Sequence, residues 1–288
     1  MPRRLRNRHR GIGPTSPIIT TTTDFAGGHH EAILKGIIYS INPRARVISV
    51  TSHIRPQDVR QASFIMKAAL PFYSYGIHLG IVLPNVDTPG SRSLVVQCKR
   101  GILLGPDNGI LMPAARELRL KAVYEVSRPQ RWLSTPSNLF SAVDIYASLA
   151  AHLSTGLRPK EVGSRVEVWV EMDEPRCILA DHVLEGEVVF IDSFGNIVTS
   201  IPSREVARLA GYNDLLEVEL DGQSLRLPLL KSYGYASKGS LLATLNREGL
   251  LEIAAYCDNA SRLLGMEPYR RVRVRAAQVE EVAEAAPP

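Results

Sequence analysis

Apolar and polar positions in the first half of the chain alternate between strand-like runs and segments with helical spacing. The run PIITTTTDF, which starts at Pro17, is rich in β-branched residues and predicts a strand. EAILKGIIYSI then predicts a helix, and ARVISVTSHI predicts a second strand. This order is that of a βαβ unit, which implies parallel pairing of the two strands.

The same alternation continues as far as Gly156. The predicted elements are, in order, the helix PQDVRQASFIMKAALPFY, the strand IHLGIVL, the strand pair and helix of SLVVQCKRGILLGPDNGILMPAAREL, the strand KAVYEVS and the helix SAVDIYASLAAHLSTG. The pattern therefore predicts an α/β domain in which a mostly parallel sheet is flanked by helices.

The second half of the chain changes character after the charged stretch EMDEPRC. Its short strand patterns follow one another closely: EGEVVFID, NIVTSI, DLLEVEL, SLRLPLL, SLLATLN, LLEIAAY and RRVRVRA. Such a run predicts a small all-β, barrel-like domain. We therefore predict a disordered basic tail at 1–16, the α/β domain at 17–178, the β domain at 179–277 and a disordered tail at 278–288.

Charge and composition describe an ordinary globular protein. Of its 288 residues, 45% are hydrophobic and 22% are charged. The net charge of +5 comes from five arginines between Arg3 and Arg10, without which basic and acidic residues number 29 each. We interpret this start as a solvated tail, with a specific anionic partner as the alternative, and we predict no nucleic-acid partner.

Targeting and cysteine patterns add two exclusions. The sequence has no run of eighteen apolar residues and no apolar signal region after the arginines, so we predict a cytoplasmic protein without a membrane partner. Cys98, Cys177 and Cys257 are far apart and form no CxxC motif, which argues against a disulfide framework or a zinc site. We predict that all three are small buried residues.

Candidate chemistry lies first at the end of the opening strand. Asp24 ends that strand and is followed by the glycine-rich AGGHHE, at an edge where open α/β sheets bind ligands. Asp24 either caps a turn or helix or binds a sugar diol. His29 and His30 do not favour a metal site, because adjacent residues at a helix start point in different directions.

Three turns carry further polar residues. DSFGN, residues 192–196, fits a hairpin turn, or alternatively a site where Phe194 stacks and Asn196 reads an adenine edge. GPDNG, residues 105–109, has the composition of a tight turn, and NREG, residues 246–249, that of a hairpin turn whose Arg247 can hold a carboxylate. The chain has no GxSxG, Walker, HExxH or GxGxxG motif, so these residues alone name no reaction.

Seven motifs in a fixed order nevertheless resemble one known family. They are TTDF, KGIIYSINPRARV, PQDVRQASF, LPNVDTPGSR, LLGPDNGIL, AAHLSTG and DSFGNIVTSI, and they span about Pro17 to Ala276. The family is that of the S-adenosylmethionine hydroxide adenosyltransferases, which also contains enzymes that make 5'-fluoro- and 5'-chloro-5'-deoxyadenosine. The resemblance implies a homotrimer that binds S-adenosylmethionine as its substrate between the N-terminal domain of one subunit and the C-terminal domain of the next. It implies no cofactor.

The resemblance also assigns the substrate-binding residues. Asp24 matches the aspartate that holds the ribose hydroxyls, and Asp192 matches the one that holds the methionine ammonium. The other matched positions are Phe194 and Asn196 at the adenine, Leu139 where the family has an aromatic wall beside the ribose, Leu83 where halogenating members have a tyrosine, and Arg247 near the methionine carboxylate.

The reacting centre departs from both branches of the family. Hydrolytic members use an aspartate and an arginine on the loop together with a histidine; here Pro84 takes the place of the aspartate, Arg92 aligns after a one-residue slip, and Ser141 replaces the histidine. Halogenating members have a serine at that last position, but they also have a tyrosine and a threonine that this loop lacks. Asp87 either restores a carboxylate that orients water or caps the turn before Pro89.

The predicted function is therefore cleavage of S-adenosylmethionine at the ribose 5' carbon, with water giving adenosine and methionine. The alternatives are displacement by chloride, which needs no base, and a homologue that binds the compound without catalysis. Arg92, Ser141 and Asp87 are the candidate catalytic residues, and no metal is predicted.

Overall fold

The computed structural model describes residues 16–84, 91–127, 131 and 142–277. The chain falls into two compact units, and the division lies between Met172 and Asp173. We refer to them as the N-terminal unit and the C-terminal unit. Residues 1–15 of the predicted basic tail and the whole predicted tail 278–288 lie outside the described residues.

The described part of the N-terminal unit forms one mixed sheet. Its strands are β1 Ile18–Thr23, β2 Arg46–Thr51, β3 Ile77–Ile81, β4 Ser93–Cys98, β5 Gly101–Pro106, β6 Leu120–Glu125 and β7 Arg165–Val166. They lie in the order β2-β1-β3-β5-β4-β6-β7. The first four strands in this order are parallel, and the remaining pairs are antiparallel. The predicted α/β fold is confirmed; half of the sheet is antiparallel because a tight hairpin joins β4 to β5.

Helices cover both faces of this sheet. They are α1 His29–Ile41, α2 Val59–Ala69, α3 Met112–Glu117 and α4 Ala142–Ser154. The helices α1 and α4 share one apolar core with alternate residues of β3 and β5, such as Leu79 and Leu104. The helices α2 and α3 share a second core with residues such as Val96 and Leu103. Strands that are apolar on both faces are therefore buried between two helical layers, as the continuous apolar runs predict.

The carboxyl ends of the parallel strands meet at one edge of the sheet. Thr23 at the end of β1 is in register with Ile81 at the end of β3, and Leu79 is in register with Leu104 of β5. The residues that follow these strands, including Asp24 and Leu83, are therefore brought to the same edge. We call it the carboxyl edge, and it is where α/β sheets bind ligands.

The C-terminal unit is an antiparallel sheet that closes almost completely into a barrel. Its strands are β8 Ile178–Ala180, β9 Val183–Ile191, β10 Ile197–Pro202, β11 Leu215–Leu220, β12 Gln223–Pro228, β13 Leu241–Leu245, β14 Leu250–Ala255 and β15 Arg271–Ala276. They lie in the order β12-β11-β15-β9-β10-β14-β13, with β8 beside β9. A bridge between Leu229 and Ala243 links the two end strands, which confirms the predicted barrel-like domain.

Two-residue alternation separates the interior of this barrel from its outer face. Val272 and Val274 of β15 are fully buried in the core, whereas Arg271 and Arg273 point outward and pair with Glu185. Two short helices, α5 Ser203–Val206 and α6 Ala260–Leu264, accompany the strands.

The cysteine prediction is correct for one residue of three. Cys98 is buried in the second core of the N-terminal unit, where burial raises the pKa of its thiol to about 12. Cys177 is half-buried, and Cys257 is exposed at a turn with a positive φ of 58°. The prediction of burial was therefore wrong for Cys257, because the chain turns at the surface directly after the apolar strand β14.

Candidate active site

Asp24 lies at the carboxyl edge and does not cap the helix that follows. Its Oδ2 accepts a hydrogen bond from the backbone N–H of Gln57 at 2.9 Å, in the loop after β2. The N-terminus of α1 is capped by Gly28 without a side-chain hydrogen bond. Among the described residues, nothing donates to Oδ1 of this half-buried carboxylate. One oxygen is thus fixed by the fold, and the other is free to accept from a ligand hydroxyl.

Leu83 lies at the same edge, two residues after β3. Its half-buried side chain packs against the core that α1 and α4 share with the sheet. The preceding residue is held in place because Asn108 Nδ2 donates to the carbonyl of Val82 at 2.9 Å. An apolar side chain is therefore fixed next to the position where the described part of the loop ends, at Pro84.

Arg92 is held by acidic groups at this edge. Its guanidinium forms an ion pair with Asp107, which follows β5, and lies 3.7 Å from Glu125 Oε2. It also donates to the carbonyl of Val168 at 3.1 Å. The Asp107 side chain is only 3% exposed, and its Oδ1 accepts from the backbone N–H of Val170 at 2.8 Å. The arginine is therefore charge-compensated by the fold itself.

Asp107 is a residue whose part sequence reasoning missed. The composition of GPDNG predicts a tight turn, and the structure confirms it: Asn108 Oδ1 accepts from Ile110 N at 3.2 Å. Its aspartate, however, is also the partner of Arg92. The available signal was its position directly after a buried strand, where charged side chains collect at the carboxyl edge.

Three of the predicted site residues lie outside the described residues. They are Asp87, Leu139 and Ser141. Their roles at the reacting centre therefore stay predictions, and so does the pairing of Asp87 with Arg92.

In the C-terminal unit, Asp192 organises the loop between β9 and β10. Its Oδ1 accepts from the backbone N–H groups of Phe194 and Asn196, each at 2.9 Å, and its Oδ2 accepts from Asn196 Nδ2 at 2.9 Å. Gly195 has a φ of 87°, and a Cβ there would lie 2.1 Å from Asn259. The five residues DSFGN therefore form the predicted hairpin turn, and only glycine fits its fourth position.

The same loop presents an aromatic ring to solvent. Phe194 is 75% exposed, whereas the neighbouring Asn196 is buried, with one amide proton already committed to Asp192. The exposed ring offers a flat apolar surface on which a base could stack. The second N–H of the Asn196 side-chain amide and its carbonyl oxygen are the groups that can bind a ligand.

A buried acid and a tyrosine lie behind this loop. Glu252 on β14 is 4% exposed, and Tyr233 donates its hydroxyl proton to Glu252 Oε1 at 2.6 Å. Burial raises the pKa of Glu252 above its ordinary value, and the nearby negative charges of Asp192 and Glu248 raise it further. Burial and the Glu252 carboxylate likewise raise the pKa of Tyr233.

Sequence reasoning missed both residues. The glutamate interrupts the apolar run LLEIAAY, in which the flanking Leu251 and Ile253 are fully buried. A charged residue within a buried strand is rare without a partner, and this was the signal that could have found it.

Arg247 lies on the turn between β13 and β14. The turn closes when Asn246 N donates to Leu250 O at 2.9 Å and Gly249 N donates to Asn246 O at 3.0 Å. The predicted hairpin turn is confirmed, and Arg247 is exposed on it. Asn246 Nδ2 is buried and has no acceptor at hydrogen-bonding geometry within the described part of the chain.

The predicted residues that the structure describes fall into two sets, one in each unit. Asp24, Leu83 and Arg92 share the carboxyl edge of the N-terminal sheet, while Asp192, Phe194 and Asn196 share one loop of the barrel. Within the described ranges, no group of three histidine, cysteine, aspartate or glutamate residues is arranged to hold a metal ion. None of the helices in those ranges is long and apolar enough to cross a membrane.

Comparison with known proteins identifies the family to which the chain belongs. Residues 19–163 match the model of the SAM hydroxide adenosyltransferase N-terminal domain, and residues 186–273 match that of the C-terminal domain. A solved structure of an uncharacterized conserved protein from Thermotoga maritima superimposes with a TM-score of 0.82 at 28% identity, covering 90% of this chain and 99% of that one.

Two relatives carry functional names. The (R)-S-adenosyl-L-methionine hydrolase of Salinispora tropica is 32% identical over 92% of this chain and 100% of its own length. A fluorinase from an Actinoplanes species is 24% identical over 83% of this chain and 91% of its own. Both domain models match in the order that the sequence motifs predict, and the chain therefore belongs to the SAM hydroxide adenosyltransferase family.

Proposed function

We propose that the protein cleaves S-adenosylmethionine at the ribose 5' carbon, with water as the nucleophile and adenosine and methionine as the products. The observation that carries this proposal is the similarity, over almost the whole chain, to a protein named (R)-S-adenosyl-L-methionine hydrolase. The geometry supports it at the first predicted contact, because Asp24 has one oxygen fixed by Gln57 and the other free for a ribose hydroxyl.

The proposed reaction is an in-line displacement. A water oxygen forms a bond to the 5' carbon while the bond from that carbon to sulfur breaks, and the electron pair stays on sulfur as methionine leaves. The water loses one proton, which passes to the solvent as adenosine forms. Since a sulfonium becomes a neutral thioether, positive charge disperses in the transition state, and positioning and desolvation of the nucleophile supply much of the acceleration.

Five residues of this chain position the substrate in the proposal. Asp24 binds the ribose hydroxyls, and Asp192 binds the methionine ammonium. Phe194 and Asn196 face the adenine, and Arg247 serves the methionine carboxylate. No cofactor is needed, because S-adenosylmethionine supplies its own leaving group.

Chloride as the nucleophile is the second candidate. It is favoured by the similarity to a fluorinase, which is more distant than that to the hydrolase. The pairing of Arg92 with Asp107 and Glu125 supports water instead, because a guanidinium compensated by two carboxylates offers little net charge to attract an anion.

A product assay separates the candidates. Purified protein is incubated with S-adenosylmethionine in chloride-free buffer and in excess chloride, and the products are identified by mass. Adenosine formed at equal rates in both buffers supports hydrolysis. Chlorodeoxyadenosine that forms only with chloride supports the second candidate. Unchanged substrate in both buffers contradicts both.

We further propose that the working unit is a cytoplasmic homotrimer with each site shared between subunits. Co-expression tests the sharing: Asp24→Ala and Asp192→Ala chains, each inactive alone, regain activity together only if the two residues can come from different subunits. Sedimentation velocity on the same samples measures the oligomeric state. Absence of complementation in a confirmed mixed oligomer contradicts shared sites.

A further inference from the structure

Among the described residues, Glu252 is a buried carboxylate without a positive partner. It is 4% exposed, on β14 between two fully buried apolar residues. None of the ion pairs of the described residues includes Glu252, Asp192 or Glu248. Burying an uncompensated carboxylate is costly, so its presence calls for a reason outside the packing of the barrel.

The carboxylates on the outer face of the same barrel show the contrast. Glu185 pairs with Arg271 and Arg273, and Glu217 pairs with Arg275. These arginines lower the pKa of both glutamates. In the described structure, arginines therefore pair with the glutamates on the outer face of the barrel, whereas the buried Glu252 has no arginine partner.

Glu252 is nevertheless held in one orientation. Tyr233, in the single helical turn Tyr233–Tyr235, donates to Oε1 at 2.6 Å. The Asn246 amide lies near enough to favour the ionised form of Glu252, although its Nδ2 has no acceptor at hydrogen-bonding geometry in the described structure. The carboxylate is thus fixed but not neutralised.

Asp192 and Glu248 add negative charge to the same place. Glu252 is in register with Val198 of β10, the strand that begins directly after the Asp192 loop, and Glu248 lies on the turn that leads into β14. Both carboxylates raise the pKa of Glu252 and that of Tyr233. Asp192 accepts three hydrogen bonds from its own loop, and within the described ranges it forms no ion pair. A bound ammonium group would compensate the charge that the protein leaves open.

We infer that Glu252, oriented by Tyr233, is a positioning residue that supplies, together with Asp192, the negative charge by which this end of the site selects an ammonium group. The inference rests on the proposed function, since it deepens the description of how S-adenosylmethionine is bound. It assigns a part in the site to Glu252 on β14 and to Tyr233, beside the loop that carries Asp192.

Two unreactive thioethers give the sharpest test. S-adenosylhomocysteine and 5'-methylthioadenosine share the adenosyl thioether, but only the first carries the amino-acid end. Calorimetry measures the affinity of both for the wild type and for Glu252→Gln, which keeps the shape and an acceptor for Tyr233. We expect the affinity for S-adenosylhomocysteine to fall about tenfold, as loss of a nearby charge predicts, and that for 5'-methylthioadenosine to change less than about twofold.

Two further variants serve as control and reserve. Glu219→Gln removes a carboxylate from the outer face, 3.8 Å from Arg273, and should change neither affinity. Tyr233→Phe keeps the charge of Glu252 but frees its orientation, and we expect about a threefold loss for S-adenosylhomocysteine alone. It carries the test if Glu252→Gln fails to fold.

The outcomes are separable from those of the proposed function. Equal loss for both thioethers in Glu252→Gln, or no preference of the wild type for S-adenosylhomocysteine, overturns the inference and leaves Glu252 a structural residue. A wild type that shows the expected selectivity but does not cleave S-adenosylmethionine contradicts only the proposed function. A wild type that binds neither compound contradicts both.

Discussion

In the N-terminal unit the buried acid Asp107 lies against a guanidinium, whereas in the C-terminal unit the buried acid Glu252 lies against a phenol. The first pair is neutral, so its charges are balanced within the fold. The second retains a full negative charge when ionised, and burial raises its pKa. A buried acid that the chain itself neutralises stabilises the fold, while one left uncompensated points to a ligand that carries the missing charge.

The largest effect that can test this comparison concerns His78, a buried base of the N-terminal unit. It is fully buried, with Nδ1 2.9 Å from Thr20 Oγ1 and no partner for Nε2 among the described residues. Burial lowers its pKa from 6.5 to about 4. Because the unfolded chain binds this proton more tightly, the stability from neutral His78 is complete above pH 6.5 and is lost as the pH falls toward 4.

We expect the preferential protonation of His78 in the unfolded chain to lower the unfolding free energy by about 3 kcal/mol as the pH falls from roughly 7 to roughly 4. Urea unfolding at both pH values gives the loss of unfolding free energy between roughly pH 7 and roughly pH 4 for the wild type and for His78→Asn, and the two losses are compared. If the two proteins lose stability equally, His78 is not the group responsible, and the N-terminal unit tolerates a buried charge better than we infer.

The next effect concerns Asp24, the acid of the N-terminal unit that we expect to bind substrate. Asp24→Asn keeps an acceptor for Gln57 N but weakens the bond to a ribose hydroxyl. We expect kcat/KM for S-adenosylmethionine to fall about a hundredfold, near the upper end for one hydrogen bond to a charged group, with stability changed by less than about 0.5 kcal/mol. Steady-state kinetics and thermal unfolding check both. A loss of activity below about threefold would remove Asp24 from the substrate site.

Arg92 provides the third test, since it has both a predicted catalytic role and an observed structural one. Arg92→Met leaves Asp107 buried without its partner, and we expect the unfolding free energy to drop by about 2 kcal/mol. The double variant with Asp107→Asn should recover part of that loss. If catalysis recovers with stability in the double variant, Arg92 acts through the fold; if it stays low, the predicted catalytic role gains support.

The smallest expected effect sharpens the contrast between Asp24 and Asp192, the two aspartates that we propose bind the substrate. Asp192 accepts three hydrogen bonds from its own loop, whereas Asp24 accepts one. Asp192→Asn turns one acceptor into a donor that faces Asn196 Nδ2, so we expect it to lower the unfolding free energy by about 1 kcal/mol. Asp24→Asn, measured by the same urea titration, is the matched control. Equal stability of the two variants contradicts the difference that the hydrogen bonds imply.

Most long elements of the fold could be predicted from the sequence. The strand that begins at Ile18, the helix that ends at Ile41 and the outer strands of the barrel all follow the expected periods of apolar residues. The elements that were missed are short: β7 has two residues, β8 has three, α5 has four and α6 has five. Such segments complete no period, and their structure depends on the neighbours they pair with.

The candidate site could be predicted only in part. Asp24 and Phe194 were proposed as site residues because one stands at a strand end and the other in a turn of recognisable composition, whereas the role of Asp192 came from the family resemblance. All three binding roles stay predictions. Asp107 and Glu252 were missed because nothing near them in the chain shows what they contact: the partner of Asp107 is Arg92, and that of Glu252 is Tyr233. Those contacts depend on strand register and loop position, which local patterns do not specify.

By itself the sequence determined the two domain types, the order of their main elements and the resemblance to a family whose domain models match the chain. Local periodicity and ordered motifs are enough for these, since each is written along the chain. Only the tertiary structure decided which buried acids are neutralised. That outcome depends on distances between residues far apart in sequence, and the same carboxyl group is stabilised beside an arginine but left in need of a cation beside a tyrosine.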